Sequence, residues 1–147
     1  PEGPIVIELA ARLSGGYFCS HEIPLATGVD FVQLAIRLAL GEDPEPRELV
    51  PRWSQGVAQR FIFPAPGVVY AVQGAAEAAV GEGIALLEVA VVPGERVRPV
   101  TSHVCRGGVV IAVGDTREQA TARAQAAAAR VRIVTGPPAP NVGAHLH

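Results

Sequence analysis

The chain has 147 residues, a formal charge of −2 and 49% hydrophobic residues, and all 12 of its Lys and Arg residues are arginine. That length suits one ordinary domain rather than two independent enzymes, and the absence of lysine excludes P-loop, Schiff-base and kinase-type lysine chemistry from these residues. The arginines are scattered and the balance is slightly acidic, so nucleic acid is not the expected partner. The apolar excess instead predicts surface that meets a partner, another subunit or further parts of a longer chain.

The longest apolar runs stop short of the ~18–20 residues that a membrane-spanning helix needs, and no secretory pattern opens the sequence. Two cysteines, Cys19 and Cys105, are too few for a disulfide framework, so the expected compartment is the reducing cytoplasm.

In chain order, the β-branched run Ile5-Val6-Ile7-Glu8-Leu9 predicts a strand, and Arg12-Leu13-Ser14-Gly15-Gly16 a loop. Thr27-Gly28-Val29-Asp30 has capping-box spacing, and Val32, Ala35, Ile36 and Ala39 follow at helical intervals, predicting a helix over 29–40 stopped by Gly41. Residues 41–52, with Pro44, Pro46 and Pro51, read as a linker.

Beyond it, strands are predicted at 57–63 and 68–72, joined by Pro64-Ala65-Pro66-Gly67 as a hairpin or tight corner. A short alanine-rich helix at 75–80, strands at 84–92 and 107–113, a helix over 117–131 started by Thr116 and Gln119, and a short strand at 131–134 complete the pattern. Gly136 to His147 reads as a loose tail. The fold class expected from this order is α+β, with helices on one face of a mainly antiparallel sheet.

The chemistry-bearing constellation is Glu8 with Arg12, ahead of Ser14-Gly15-Gly16. In an extended segment residues 8, 10 and 12 share one side. A carboxylate suits Mg²⁺, a guanidinium suits phosphate oxygens, and paired glycines let backbone amides approach an anion. The same residues also read as an ordinary ion pair beside a glycine turn.

Glu8 through Gly16, followed by Glu22-Ile23-Pro24-Leu25-Ala26-Thr27-Gly28-Val29-Asp30 and the helix to Gly41-Glu42, resembles the C-terminal end of an ATP-grasp ligase domain, as in amino-acid ligases, biotin carboxylase and phosphoribosylglycinamide synthetase. Val92-Pro93-Gly94 through Pro99 and the run Gly107 to Ala120 are similar to the C-terminal domain that follows in those enzymes. The resemblance covers about residues 5 to 134 and rests on the order of the pieces rather than on any single one. It divides the chain into 1–43, the last strand and helix of the ATP-grasp domain; 44–54, a linker; 55–135, the α+β C-terminal domain; and 136–147, the tail.

The resemblance implies that Glu8 ligates Mg²⁺ at the phosphates of ATP and that Arg12 holds phosphate or an acyl-phosphate intermediate. It implies that Ser14, Gly15 and Gly16 line the acceptor side, with His21 and Glu22 in a loop beside them. The family's usual Asn, often a second Mg²⁺ ligand, is Ala10 here, and a methyl group binds no metal. The family's adenine pocket and ATP-contacting lysines lie upstream of this motif, so the expectation is a C-terminal fragment whose partner is the missing N-terminal part. Mg²⁺ and ATP then belong to the complete enzyme, neither binds the fragment tightly, and the fragment alone is inactive. The implied reaction joins a small-molecule carboxylate to an amine through an acyl phosphate and forms ADP.

His103 and Arg106 sit in a polar loop before a strand and read either as reaching the substrate pocket or as turn solvation. Cys19-Ser20-His21 with His103-Val104-Cys105 has the ligand types of a zinc site, but one intervening residue is shorter than the usual two to four. Trp53, Phe61 and Phe63 read as core or interface residues, and His145 and His147 as incidental. The alternative to a ligase fragment is a non-catalytic interaction or dimerisation module, and the apolar excess makes a homodimer an expected possibility under either reading.

Overall fold

The computed structural model describes residue 3, residues 5–102 and residues 105–137, and the chain divides into two compact units, Pro1–Ser54 and Gln55–His147. His103, Val104 and tail residues 138–147, including His145 and His147, lie outside the described residues.

In the first unit the strand expected at 5–9 is not formed. Residues 5–10 carry no regular structure, and Ile7 and Leu9 are 96% and 91% exposed. A β-branched run gains its strand geometry from cross-strand neighbours, and no strand among the described residues pairs with it. Arg12 to Gly16 is irregular, as expected, whereas the loop expected around His21 and Glu22 winds into a π-helical turn, Phe18–Glu22, that runs directly into helix α1, Ile23–Thr27. Helix α2 follows at Phe31–Ala39.

The cap of α2 is Asp30, whose carboxylate accepts the Gln33 amide at 2.9 Å, and not the expected Thr27. Thr27 ends α1 instead: its hydroxyl donates to the Ile23 carbonyl at 2.7 Å and accepts the Val29 amide at 3.2 Å. Gly28, at φ +76°, closes α1 in the left-handed conformation and redirects the chain.

The proline-rich stretch after α2 is ordered by charge. Pro46–Leu49 forms a 3₁₀ turn, and Arg37 of α2 reaches Glu42 at 2.7 Å and Glu48 at 2.5 Å. That guanidinium holds the Glu48 carboxyl below the usual carboxylate range.

The second unit contains strands β1 Gly56–Ile62, β2 Gly67–Gln73, β3 Ile84–Val89, β4 Arg96–Val97, β5 Gly108–Gly114 and β6 Arg132–Gly136, with helices α3 Ala75–Ala79 and α4 Arg117–Arg130. They make two three-stranded sheets, ordered β1-β5-β3 and β4-β2-β6, with every described pairing antiparallel. The class is α+β, as the alternation of elements predicts.

Consecutive β1 and β2 take the corner rather than the hairpin: β1 pairs with β5 from Gly56↔Gly114 to Ile62↔Gly108, while β2 pairs with β4 and β6. Pro64 and Pro66 lack the amide a ladder needs, so the chain breaks there and changes sheet.

Strand β5 is the centre of its sheet, with Val110, Ile111 and Ala112 fully buried. Helix α4 packs across β1 and β5, starting from Thr116, whose hydroxyl accepts the Gln119 amide at 3.2 Å. Ala120 and Ala124 meet Ala58 and Ala112, and four small side chains in one layer let helix and sheet approach closely. Ala127 and Val131 continue the core with Ile62, Ala78 and Val110. A smaller cluster of Val69, Val91 and Val97 seats the two-residue strand β4, too short to show a period in the sequence.

Candidate functional site

The residues singled out in the first unit fall on one continuous segment. Glu8 lies in the exposed, irregular stretch. The chain does not stay extended to Arg12, because the Arg12 amide donates to the Ala10 carbonyl at 2.8 Å in a three-residue turn. The expected common side of residues 8, 10 and 12 is therefore lost at its end. Among the described residues no ion pair joins Glu8 to Arg12; the exposed Arg12 guanidinium donates to the Leu13 carbonyl at 3.3 Å.

Ser14 is held by its backbone, whose amide donates to the buried Cys19 sulfur at 3.2 Å. Gly15 and Gly16 have open space where a side chain would stand, and Gly16 is at φ +69°. Tyr17 follows at φ +74°, the single non-glycine residue with positive φ among those described. For a bulky residue this conformation is strained, and such strain persists only where its surroundings hold it.

The Tyr17 carbonyl accepts the amides of both His21 and Glu22, at 2.9 and 3.0 Å. That pairing makes the π turn, a geometry that concentrates at functional positions. The Tyr17 and His21 rings meet edge to face with centroids 5.3 Å apart, and His21 Nδ1 is 2.8 Å from the Ser20 hydroxyl. Among the described residues Glu22 Oε1 is buried with no hydrogen-bond partner, and burial pushes the Glu22 carboxyl above its ordinary value. An unpartnered buried carboxyl is costly unless something satisfies it.

Sequence reasoning named Gly15, Gly16, His21 and Glu22 but missed Tyr17, whose place after two glycines was the available signal. As a Mg²⁺ donor set, the segment offers the Glu8 carboxylate and, at position 10, a methyl group. Mg²⁺ is commonly bound by one or two carboxylates with phosphates and waters completing its octahedron, so the chain fits as the source of a single ligand. Among the described residues no group of three or more His, Cys, Asp and Glu is placed to hold a metal ion.

Arg106 belongs to the second unit. Its guanidinium carbon lies 3.5 Å from the centroid of the Phe61 ring, and the residue lines a half-open groove of about 210 Å³ with Arg96, Arg98, Glu95 and Cys105. Hydrogen bonds from the Thr101 backbone and the Ser102 side chain pull the Cys105 thiol below its usual range. Among the described residues no helix is long and apolar enough to cross a membrane.

Residues 60–136 match the model of the family described as L-amino acid ligase C-terminal domain 2. The fold is similar to two solved structures. One is an L-amino acid ligase from Bacillus licheniformis, with a TM-score of 0.68 and 20% identity over 83% of this chain and 32% of that one. The other is a phosphoribosylglycinamide synthetase from Anaerococcus prevotii, with a TM-score of 0.65 and 11% identity over 78% of this chain and 29% of that one. The chain thus spans about a third of the length of these structures. No curated protein sequence gives a significant match.

Proposed function

The chain belongs to the L-amino acid ligase C-terminal domain 2 family, and from that premise we propose that it is the C-terminal portion of a cytoplasmic ATP-grasp ligase joining a carboxylate, such as that of an amino acid, to an amine. In that reading residues 1–43 complete the ATP-grasp domain, 44–54 link it onward, 55–135 form the C-terminal domain and 136–147 are a tail. The N-terminal part of the same enzyme supplies the adenine pocket, the phosphate-covering glycine loop and the ATP-contacting lysines, and the portion described is inactive without it.

The reaction runs in two displacements. A carboxylate oxygen attacks the γ-phosphorus of ATP and ADP leaves; the amine then attacks the acyl carbon and phosphate leaves. Charge builds on phosphoryl oxygens in the first step, so positioning and neutralisation carry most of the catalysis. Arg12 faces that charge with a planar fork of donors, and Glu8 supplies one carboxylate ligand to Mg²⁺. The bound ion neutralises phosphate charge when present. Ser14 lines the acceptor side, and the backbone of Gly15 and Gly16 approaches the acceptor closely because no side chain shields it. His21 and Glu22 border the same substrate side.

The observation that carries this reading is the family match over residues 60–136, with Glu8, Arg12 and the glycine pair standing ahead of it in the chain. Glu8→Ala in the complete ligase tests it: ADP formation is lost while the circular dichroism spectrum is retained, and unchanged turnover overturns the Mg²⁺ role. A second reading, an interaction module without chemistry, draws on the exposed Ile5, Val6, Ile7 and Leu9. Unchanged turnover would favour it.

A further inference from the structure

The groove of the second unit is built from a different set of charges than the segment around Glu8. Arg96 and Arg98 are exposed and flank the buried Val97 of β4 in the chain, and all three residues line the groove together with Arg106. Among the described residues none of these three arginines is in an ion pair. The one carboxylate on the groove, Glu95, accepts the Val92 amide at 3.2 Å and so is engaged by the turn beside it.

Three arginines and one glutamate among its lining residues give this groove of about 210 Å³ an excess of two positive charges. Arg106 is the restrained member, its guanidinium carbon seated 3.5 Å from the centroid of the Phe61 ring, a contact that leaves guanidinium N–H donors for an anion. The volume is below the ~300–1,000 Å³ of pockets that enclose drug-sized ligands, which argues against a nucleotide and for a small oxyanion. We propose that Arg96, Arg98 and Arg106 form a binding site for a small multivalent oxyanion, a phosphate or polycarboxylate group, made of second-unit residues and not of Glu8 and Arg12. The site needs neither of those residues, and its test reads binding rather than turnover, so its failure and that of the ligase mechanism are distinguishable.

The 147-residue chain, labelled with ¹⁵N, is titrated separately with inorganic phosphate and with citrate at ionic strength held constant with sodium chloride, following the arginine Nε–H signals. Saturable shifts at Arg96, Arg98 and Arg106 are expected, and the anion that saturates them identifies the group as phosphate, carboxylate or either. Each of Arg96→Gln and Arg98→Gln weakens binding by about tenfold, as loss of a charge-assisted hydrogen bond does; both side chains are exposed, so the fold is retained. In the unmodified chain the bound anion also slows alkylation of Cys105, which lines the groove, relative to the chloride control. Shifts that rise linearly without saturation for both anions overturn the proposal, as does saturable binding that survives the double substitution.

Discussion

Gly28 lies against the indole of Trp53: a Cβ built at residue 28 would stand 2.7 Å from the ring's Cη2 and 2.8 Å from Cζ3, while the indole Nε1 donates to the Leu25 carbonyl at 2.9 Å. The ring thereby fastens the end of the proline-rich stretch to α1. The same glycine is at φ +76°, so two independent demands exclude a side chain there. Gly28→Ala should destabilise the first unit by about 1–3 kcal/mol through backbone strain and overpacking. Denaturant unfolding followed by tryptophan fluorescence reads this directly, because Trp53 is the one tryptophan of the chain. An unchanged midpoint would mean that the ring does not sit on Gly28.

The second unit depends on small side chains in the same way. Ala124 is fully buried in a layer with Ala58, Ala112 and Ala120, so the methine and two methyl carbons that leucine adds have no space to enter. Ala124→Leu should cost about 1–3 kcal/mol and shift the far-UV circular dichroism transition to lower denaturant. A variant as stable as the parent would show that α4 does not pack on β1 and β5 at this layer.

The positions of most strands and of α2 and α4 were legible because their burial leaves a period in the sequence. The alanines at 120, 124 and 127 mark one face of α4, and the run Gly108 to Val113 marks a strand buried in the centre of a sheet. Pairing was less legible: the choice between corner and hairpin at Pro64 depends on which strands are neighbours in space, and β1 finds its partner about fifty residues away in β5. The strand expected at Ile5–Leu9 had the right residue types, yet strand geometry needs a ladder that no strand among the described residues gives it. At the candidate site the residue types Glu8, Arg12 and the glycines were visible, whereas the turn at Ala10–Arg12 and the π turn at Phe18–Glu22 arise from backbone hydrogen bonds with no side-chain signature.

Glu22 gives the first unit a defined response to pH. Its carboxyl is pushed above the ordinary 4.5 by burial, so the folded state holds the proton more tightly than the unfolded chain does. Below about pH 4.5 the group is protonated in both states and its burial is tolerated. As pH rises through the raised folded value, ionisation in the buried setting becomes unfavourable, and that part of the stability is lost. Glu22→Gln keeps the shape and the hydrogen-bonding capacity but never ionises. The stability of the variant relative to the parent, read by Trp53 fluorescence, should therefore rise from about pH 4.5 upward and level off once Glu22 is ionised in the folded parent. Taking the difference cancels titrating groups common to both proteins. A difference that stays flat across this window would mean that Glu22 Oε1 is satisfied in solution and that its burial carries no penalty.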